Sequence, residues 1–404
     1  MTELKDKIVL PNGSIINNRI AKSAMSENLS NKNHEPTNLL IDVYKKWAES
    51  GAGLLITGNI MIDSNAIGEP RNIVVENRDN FEQLKAWADT VKGTETKLWA
   101  QLNHPGRQAM EQINPILKAP SAVPLKMGGR KNASSKIPQE LTENEILDII
   151  NRFANTSVIL KDAGFSGVQI HGAHGYLVSQ FLSPYTNIRK DKWGGSLENR
   201  ARFVVEVYRK MREKVGKEFP IGIKLNSADF QKGGFSEEES IEVVKILSKE
   251  GIDLIEISGG TYEAPVMMGK RKESTAKREA YFMDYIEKAR KVTKTPLMLT
   301  GGFRTPEGMK EAILSDQLDI IGMARPFTIY PQIAHEIFEE TRLDFTVNIK
   351  KTGIKAIDAM MNIIWYEKQI KRLGQGKAPH PNLSPWSVLL NYAWLIIEYK
   401  FLKK

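Results

Sequence analysis

Residues 142–176 read TENEILDIINRFANTSVILKDAGFSGVQIHGAHGY. Thr142 with Glu145 fits a capping box, and apolar residues at helical spacing predict a helix over 142–162. A short apolar run at 167–170 reads as a buried strand. Behind it, glycines let the backbone turn sharply, and two histidines three apart are followed by a tyrosine. A helix, then a strand, then a loop rich in titratable side chains is one link of a parallel α/β fold.

The same alternation extends along the chain. Candidate strands are 19–25, 53–60, 97–102, 167–170, 220–225, 253–257, 296–300 and 319–323. Candidate helices lie at 37–50, 79–92, 142–162, 197–216, 236–250, 279–293, 305–314 and 328–340. Ser236 with Glu239 makes a second capping box, and Thr305 before Pro306 fits an N-cap with proline at the first helical position. Eight βα repeats over roughly 320 residues predict a (β/α)8 TIM barrel rather than an open doubly wound sheet. No G-x-G-x-x-G follows any strand, since Gly51 and Gly53 lie before one. The expected division is a barrel over 1–344 and a C-terminal helical extension over 345–404. Residues 374–385, GQGKAPHPNLSP, read as a linker within that extension.

In a barrel of this kind the loops after the strands build the site. The long loops 103–141 and 171–196 belong to that face and bring His171, His174 and Tyr176 to its mouth. The H-x-x-H pair is open to three readings. It could ligate a metal, although no cysteine or nearby carboxylate completes a set; it could be structural; or its ring N–H groups could hold a substrate oxygen with Tyr176 as proton donor. TGGFR (300–304) and IGMARP (321–326) close the seventh and eighth strands, where this fold often binds phosphate. Gly301, Gly302, Gly322 and Arg325 are phosphate candidates, and simple turns are the other use of such glycines.

Composition narrows the function classes. The 404 residues contain no cysteine, which excludes disulfides, thiol nucleophiles, iron–sulfur clusters and thiolate zinc sites. The net charge is +9, but it is concentrated in the tail: residues 345–404 carry ten Lys and Arg against Asp358, Glu367 and Glu398. The rest is close to neutral, without the basic stripe that phosphate tracking needs, so no nucleic-acid partner is expected. MTELKDKIVL lacks a signal-peptide core, and a cytoplasmic location is expected.

At this point the residues resemble a known family. The run IHGAHGYLVSQFLSPYTNIRKDKWGGSLENRARF (170–203) is similar to the signature of the Old Yellow Enzyme family of FMN-dependent ene-reductases. NRIAKSAMSE (18–27), ITGNI (56–60), QLNHPGRQ (101–108), IGIKLN (221–226), TGGFR and IGMARP follow in the family's order. The resemblance covers about residues 5–340. It implies FMN at the C-terminal ends of the strands, with Ser23, Ala24, Met25, Ser26 and Gly58 beside the isoalloxazine. It further implies Gln101 on the pyrimidine edge and Lys224 as a fixed cation near N1 and the C2 carbonyl. His171 and His174 would bind the carbonyl oxygen of an activated alkene, flavin N5 would deliver hydride to the β-carbon, and Tyr176 would protonate the α-carbon.

Three residues depart from the family pattern. Lys224 stands where arginine is frequent, keeping the charge without the planar fork. Ser26 replaces threonine or cysteine, and Ala24 a frequent proline. The resemblance also implies an external donor, NADH or NADPH, reducing the flavin before the alkene enters. Amine oxidation or nitro reduction on the same fold is an alternative, as is a non-catalytic flavoprotein bound to membranes by its tail. In GGSLENRARF, Glu198, Arg200 and Arg202 read as ion pairs fixing the mouth loop. His104 reads as a hydrogen-bonded loop residue, whereas His34, His335 and His380 have no motif around them. The apolar, aromatic segment 386–399 is shorter than the roughly 20 residues that span a bilayer. It reads either as a helix docked on the barrel or as an interfacial segment on an anionic membrane. A homo-oligomer is left open.

Overall fold

Apolar and β-branched residues fill short segments that are buried on both faces, as a parallel sheet wrapped by helices demands. The computed structural model describes residues 2–126, 136–261, 263–264 and 282–402. Eight parallel strands close into a barrel in chain order. They are β1 (Ile20–Lys22), β2 (Leu54–Met61), β3 (Lys97–Asn103), β4 (Gly167–Gly172), β5 (Ile221–Asn226), β6 (Leu254–Ser258), β7 (Leu297–Thr300) and β8 (Ile320–Met323). A helix follows each strand: α1 (Asn38–Ala48), α2 (Phe81–Ala88), α3 (Glu143–Asp162), α4 (Leu197–Val215), α5 (Glu237–Glu250), α6 (Met283–Arg290), α7 (Pro306–Leu314) and α8 (Ile333–Phe338). Residues 279–281 of the expected helix 279–293, and 127–135 of the long loop after β3, lie outside the described residues.

The helix starts carry the expected caps. Thr142 and Ser236 each accept from the backbone of the glutamate three residues on, and each glutamate returns a bond to the cap backbone. Thr305 Oγ1 accepts from Gly308 N at 3.1 Å, just before Pro306.

Inside the barrel, alternate residues point to the axis, and their character changes along the strands. At the N-terminal end Ala21, Leu54, Ile56, Trp99, Leu254, Met298 and Ile320 form one apolar layer. A two-stranded hairpin, Ile8–Val9 with Ile15–Ile16, closes that end and adds Ile8, Leu10 and Ile16 to the layer. Trp99 dictates two of its neighbours: a Cβ on Gly167 would stand 2.6 Å from its indole, and one on Gly222 2.9 Å. Glycine on β4 and β5 therefore makes room for tryptophan on β3. One step toward the C-terminal ends, the inward residues are Ser23, Gln101, Gln169, Lys224, Glu256 and Thr300, all polar.

Beyond the barrel lie two helices, α9 (Lys355–Gly374) and α10 (Pro385–Leu402). Helix α9 lies against α1, with Gly374 so close that a Cβ would come within 2.4 Å of the Leu39 carbonyl. Ile370 and Leu373 join the main core, while Met361, Ile364, Trp365, Tyr366 and Val388 cluster with Ile329. Gln369 exchanges two hydrogen bonds with the backbone of His380, at 2.8 and 2.9 Å, which ties down the connecting segment. Val388 of α10 is buried against this cluster, whereas Trp386, Leu390 and Trp394 face outward and are exposed. Among the described residues, no helix is long and apolar enough to cross a membrane.

Candidate active site

The polar layer of the barrel is one connected hydrogen-bond network. Gln101 Nε2 donates to Gln169 Oε1 at 2.7 Å, and Gln169 Nε2 donates to Glu256 Oε2 at 2.7 Å. Glu256 Oε1 receives Thr300 Oγ1 at 2.6 Å and pairs with Lys224 Nζ at 3.0 Å. Thr300 and Ser23 hydroxyls meet at 2.6 Å, a contact that Gly322 permits, because a Cβ there would fall 2.1 Å from Thr300 Oγ1. A buried carboxylate with three donors, one of them an ammonium, is fully compensated.

Above this floor opens a cleft of about 490 Å³ at the C-terminal ends of the strands. It brings together most of the residues singled out from the sequence: Ala24, Met25 and Ser26 after β1, Gln101 on β3, His171, His174 and Tyr176 from β4, and Lys224 on β5. Gly301, Gly302, Gly322 and Arg325 line its far end. Two expected residues stand behind the wall. Ser23 is buried against Thr300, and Gly58 faces the β1 loop, where a Cβ would lie 2.7 Å from the Met25 carbonyl.

His171 is held with its Nδ1 accepting the Ala173 N–H at 3.3 Å. Burial pushes its pKa well below the ordinary range, with the neighbouring His174 and Lys224 adding to the effect. The imidazole is neutral at pH 7, so with Nδ1 accepting, Nε2 carries the proton. His174 occupies a left-handed conformation (φ 62°), stabilised by Asn226 Oδ1 accepting its backbone N–H at 3.1 Å. Its Nε2 lies 2.8 Å from Ser258 Oγ, and burial followed by Lys224 lowers its pKa to about 3. The two rings stand edge to face at 5.3 Å, and the Tyr176 ring packs edge-on to His171 at 4.7 Å. Among the described residues no group of three or more histidine, aspartate and glutamate side chains gathers as a metal site would require.

Residues around the mouth are mainly structural. Arg200 donates to the Leu182 carbonyl and to Glu239, and Arg202 to the Lys192 carbonyl at 2.9 Å. Arg189 binds the carbonyls of Pro120 and Leu141. His104 accepts the Gly106 N–H at 3.1 Å and is held neutral by burial, with its pKa lowered to about 4.

The reading of the sequence passed over several wall residues. Gln169, Glu256 and Ser258 are polar positions inside apolar strands, and alternation along LIEIS would have exposed Glu256 as inward-facing. Asn59, Glu69, Phe303, Asn348, Asn362 and Tyr366 also line the cleft, but loops and the extension supply most of them and no local pattern marks them.

The cleft has the polarity a flavin mononucleotide requires. Gln101 and Lys224 offer donors to a dicarbonyl edge, while Met25 and Met323 offer apolar surface to a ring face. Gly301 and Gly302, at φ of 122° and 101°, turn the β7 end without side chains in a region shared with Arg325, as a phosphate site demands.

Residues 8–344 match the model of the NADH:flavin oxidoreductase / NADH oxidase family. The chain belongs to this family. It is 35% identical to the NADH-dependent flavin oxidoreductase iccE of Talaromyces variabilis, across 92% of this chain and 98% of the relative. The old yellow enzyme homologue of Zymomonas mobilis superposes with a TM-score of 0.71 at 25% identity, covering 85% of this chain and 94% of that one. A 2-naphthoyl-CoA reductase superposes with a TM-score of 0.77 at 26% identity, over 84% of this chain and 52% of the reductase. Membership makes the protein an NAD(P)H-dependent flavin oxidoreductase with FMN as its cofactor, on an Old Yellow Enzyme barrel.

Proposed function

We propose that this flavin oxidoreductase reduces the activated C=C bond of α,β-unsaturated carbonyl compounds. The observation that carries the reading is the His171, His174 and Tyr176 cluster, two neutral imidazoles and a phenol at the wall of one cleft. FMN would be held by Ala24, Met25, Ser26, Gln101, His171 and Lys224 around its ring system, with Ser23 and Gly58 backing that wall, and by Gly301, Gly302, Gly322 and Arg325 at its phosphate. When bound, it supplies the hydride taken from NADH or NADPH.

The chain's own residues supply the polarisation and the proton. A carbonyl oxygen held by the His171 Nε2–H and by His174 draws electron density from the conjugated alkene and makes the β-carbon electrophilic. The imidazoles suit this role because burial keeps them neutral: each gives a hydrogen bond without giving up a proton. Tyr176 then delivers its phenolic proton to the α-carbon. A conjugated thioester in the name of the naphthoyl-CoA reductase agrees with this substrate class.

The test is anaerobic stopped-flow on the FMN-loaded protein, with NADH or NADPH and then 2-cyclohexenone. Tyr176→Phe is expected to leave flavin bleaching by the nicotinamide unchanged and to slow its return with the enone by roughly 10²–10⁴-fold. Unchanged reoxidation would remove Tyr176 from the proton-donor role. Reduced flavin that no enone reoxidises would move the search to amine or nitro substrates.

A further inference from the structure

Helix α9 brings a carboxylate to the wall of the cleft. Glu367 Oε1 lies 3.0 Å from Ser26 Oγ, and Glu69 Oε2, from the loop after β2, is within hydrogen-bond reach of the same hydroxyl. Glu367 is buried and Glu69 half-buried at the cleft wall. Asn28 Nδ2 reaches the second oxygen of Glu367 at 3.4 Å, and Asn72 Nδ2 reaches Glu69 at 3.1 Å. Tyr392 of α10 lies close enough to both carboxyls that burial first, and then their charge when ionised, push its phenol up to about 12. Among the described residues no lysine or arginine lies within ion-pair distance of either glutamate. This sets the pair apart from Glu256, which has Lys224.

Ser26 has a single hydroxyl proton, so it can donate to one carboxylate only. The other oxygen at hydrogen-bond distance must be the donor to Ser26 Oγ, and a glutamate can donate only when protonated. Two unneutralised carboxylates bridged by one hydroxyl in a buried site likewise cannot both ionise.

We propose that Glu367 and Glu69 share one proton through Ser26, making Glu367 a positioning residue by which the C-terminal extension fixes the direction of a hydroxyl at the cleft wall. The inference goes beyond the proposed reduction and does not depend on the identity of its substrate. With Glu367 protonated and Glu69 ionised, Ser26 accepts from the first and donates to the second. Its remaining lone pair is then turned to the cleft. Burial, and then the charge of Glu69, raise the pKa of Glu367 to about 8. Loss of the shared proton above that pH would place two charges across one hydroxyl and drive α9 from the barrel.

A carboxyl whose pKa is raised on folding stabilises the fold fully below its unfolded value near 4.5 and loses that contribution as pH rises toward 8. Glu367→Gln keeps a donor to Ser26 and cannot ionise. The melting temperature of the FMN-loaded wild type should fall between pH 5 and pH 9 relative to this variant, by an amount on the order of 5 °C.

A second readout does not depend on turnover. The infrared carbonyl band of this shared carboxylic acid, read on the FMN-loaded protein at pH 7 as the difference between wild type and variant, should be lost in Glu367→Gln and in Glu69→Gln alike, because either amide lets the remaining glutamate ionise. Parallel pH–stability curves, or a band retained in both variants, would overturn the shared proton. A band lost only in Glu367→Gln would also overturn it, by showing that Glu367 is protonated independently of Glu69. Tyr176 and the histidines stay intact in these variants, so failure here leaves the proposed reduction standing.

Discussion

The two ends of the barrel interior are built on the same strands and teach different lessons. At the N-terminal end Trp99, Leu254, Met298 and Ile320 fill the axis with apolar volume, and the hairpin seals it. Two residues further along β3, β5 and β6, the inward positions are Gln101, Lys224 and Glu256. One end is held by area removed from water, which tolerates no missing volume. The other is held by hydrogen bonds, which tolerate no missing partner. Strand geometry is common to both, so what differs is only the side chain that alternation brings inward.

Breaking the apolar end should give the largest effect. Trp99→Ala would leave a cavity between Gly167 and Gly222, which have no side chains to collapse into it, and is expected to cost about 3–5 kcal/mol. Urea unfolding of the variant, followed by fluorescence and by far-UV dichroism, measures the loss. A much smaller loss would mean that the hairpin, and not the indole, determines packing at this end.

The polar end should break differently. Lys224→Met keeps volume but removes the ammonium from Glu256, and is expected to destabilise by about 3 kcal/mol. This lies at the low end for a buried pair because Gln169 and Thr300 continue to donate. The double variant Lys224→Met with Glu256→Gln should recover part of the loss in the same unfolding experiment, since the uncompensated charge is gone. Recovery of none of it would show that the ammonium matters for contacts other than Glu256. The single variant also relieves His171 and His174 of one of the causes that hold their pKa values down.

That division into ends also explains what could be read from the sequence. The eight strands and eight helices stand within a few residues of their expected places, because buried strands and capped helices are written in local patterns. His171, His174 and Tyr176 were legible for the same reason, lying at the end of β4 and in the loop directly after it. Glu69 and Glu367 were not. They are 298 positions apart, and only the docking of α9 brings them to Ser26. Glu256 was legible in principle, as a charge within an apolar strand, but its partners Gln169, Lys224 and Thr300 come from three other strands. The closing hairpin escaped because strands of two residues carry no period.

The smallest effects should separate the two capping boxes, which look alike in sequence and differ in what lies beside them. Ser236→Ala and Thr142→Ala each remove a side-chain cap and should cost about 1 kcal/mol. Their glutamate partners are not equivalent. Glu145 pairs with Lys118, whose side chain is partly exposed, so Glu145→Ala should cost no more than the loss of its cap, since exposed pairs contribute little. Glu239 also receives Arg200, which is buried and holds the Leu182 carbonyl at the mouth of the cleft. Glu239→Ala strips that guanidinium of its carboxylate, and its cost should exceed that of Ser236→Ala by about 1 kcal/mol or more. Equal unfolding midpoints for Glu239→Ala and Ser236→Ala would mean that Arg200 is anchored by backbone carbonyls alone. Glu239 would then cap α5 without bracing the site.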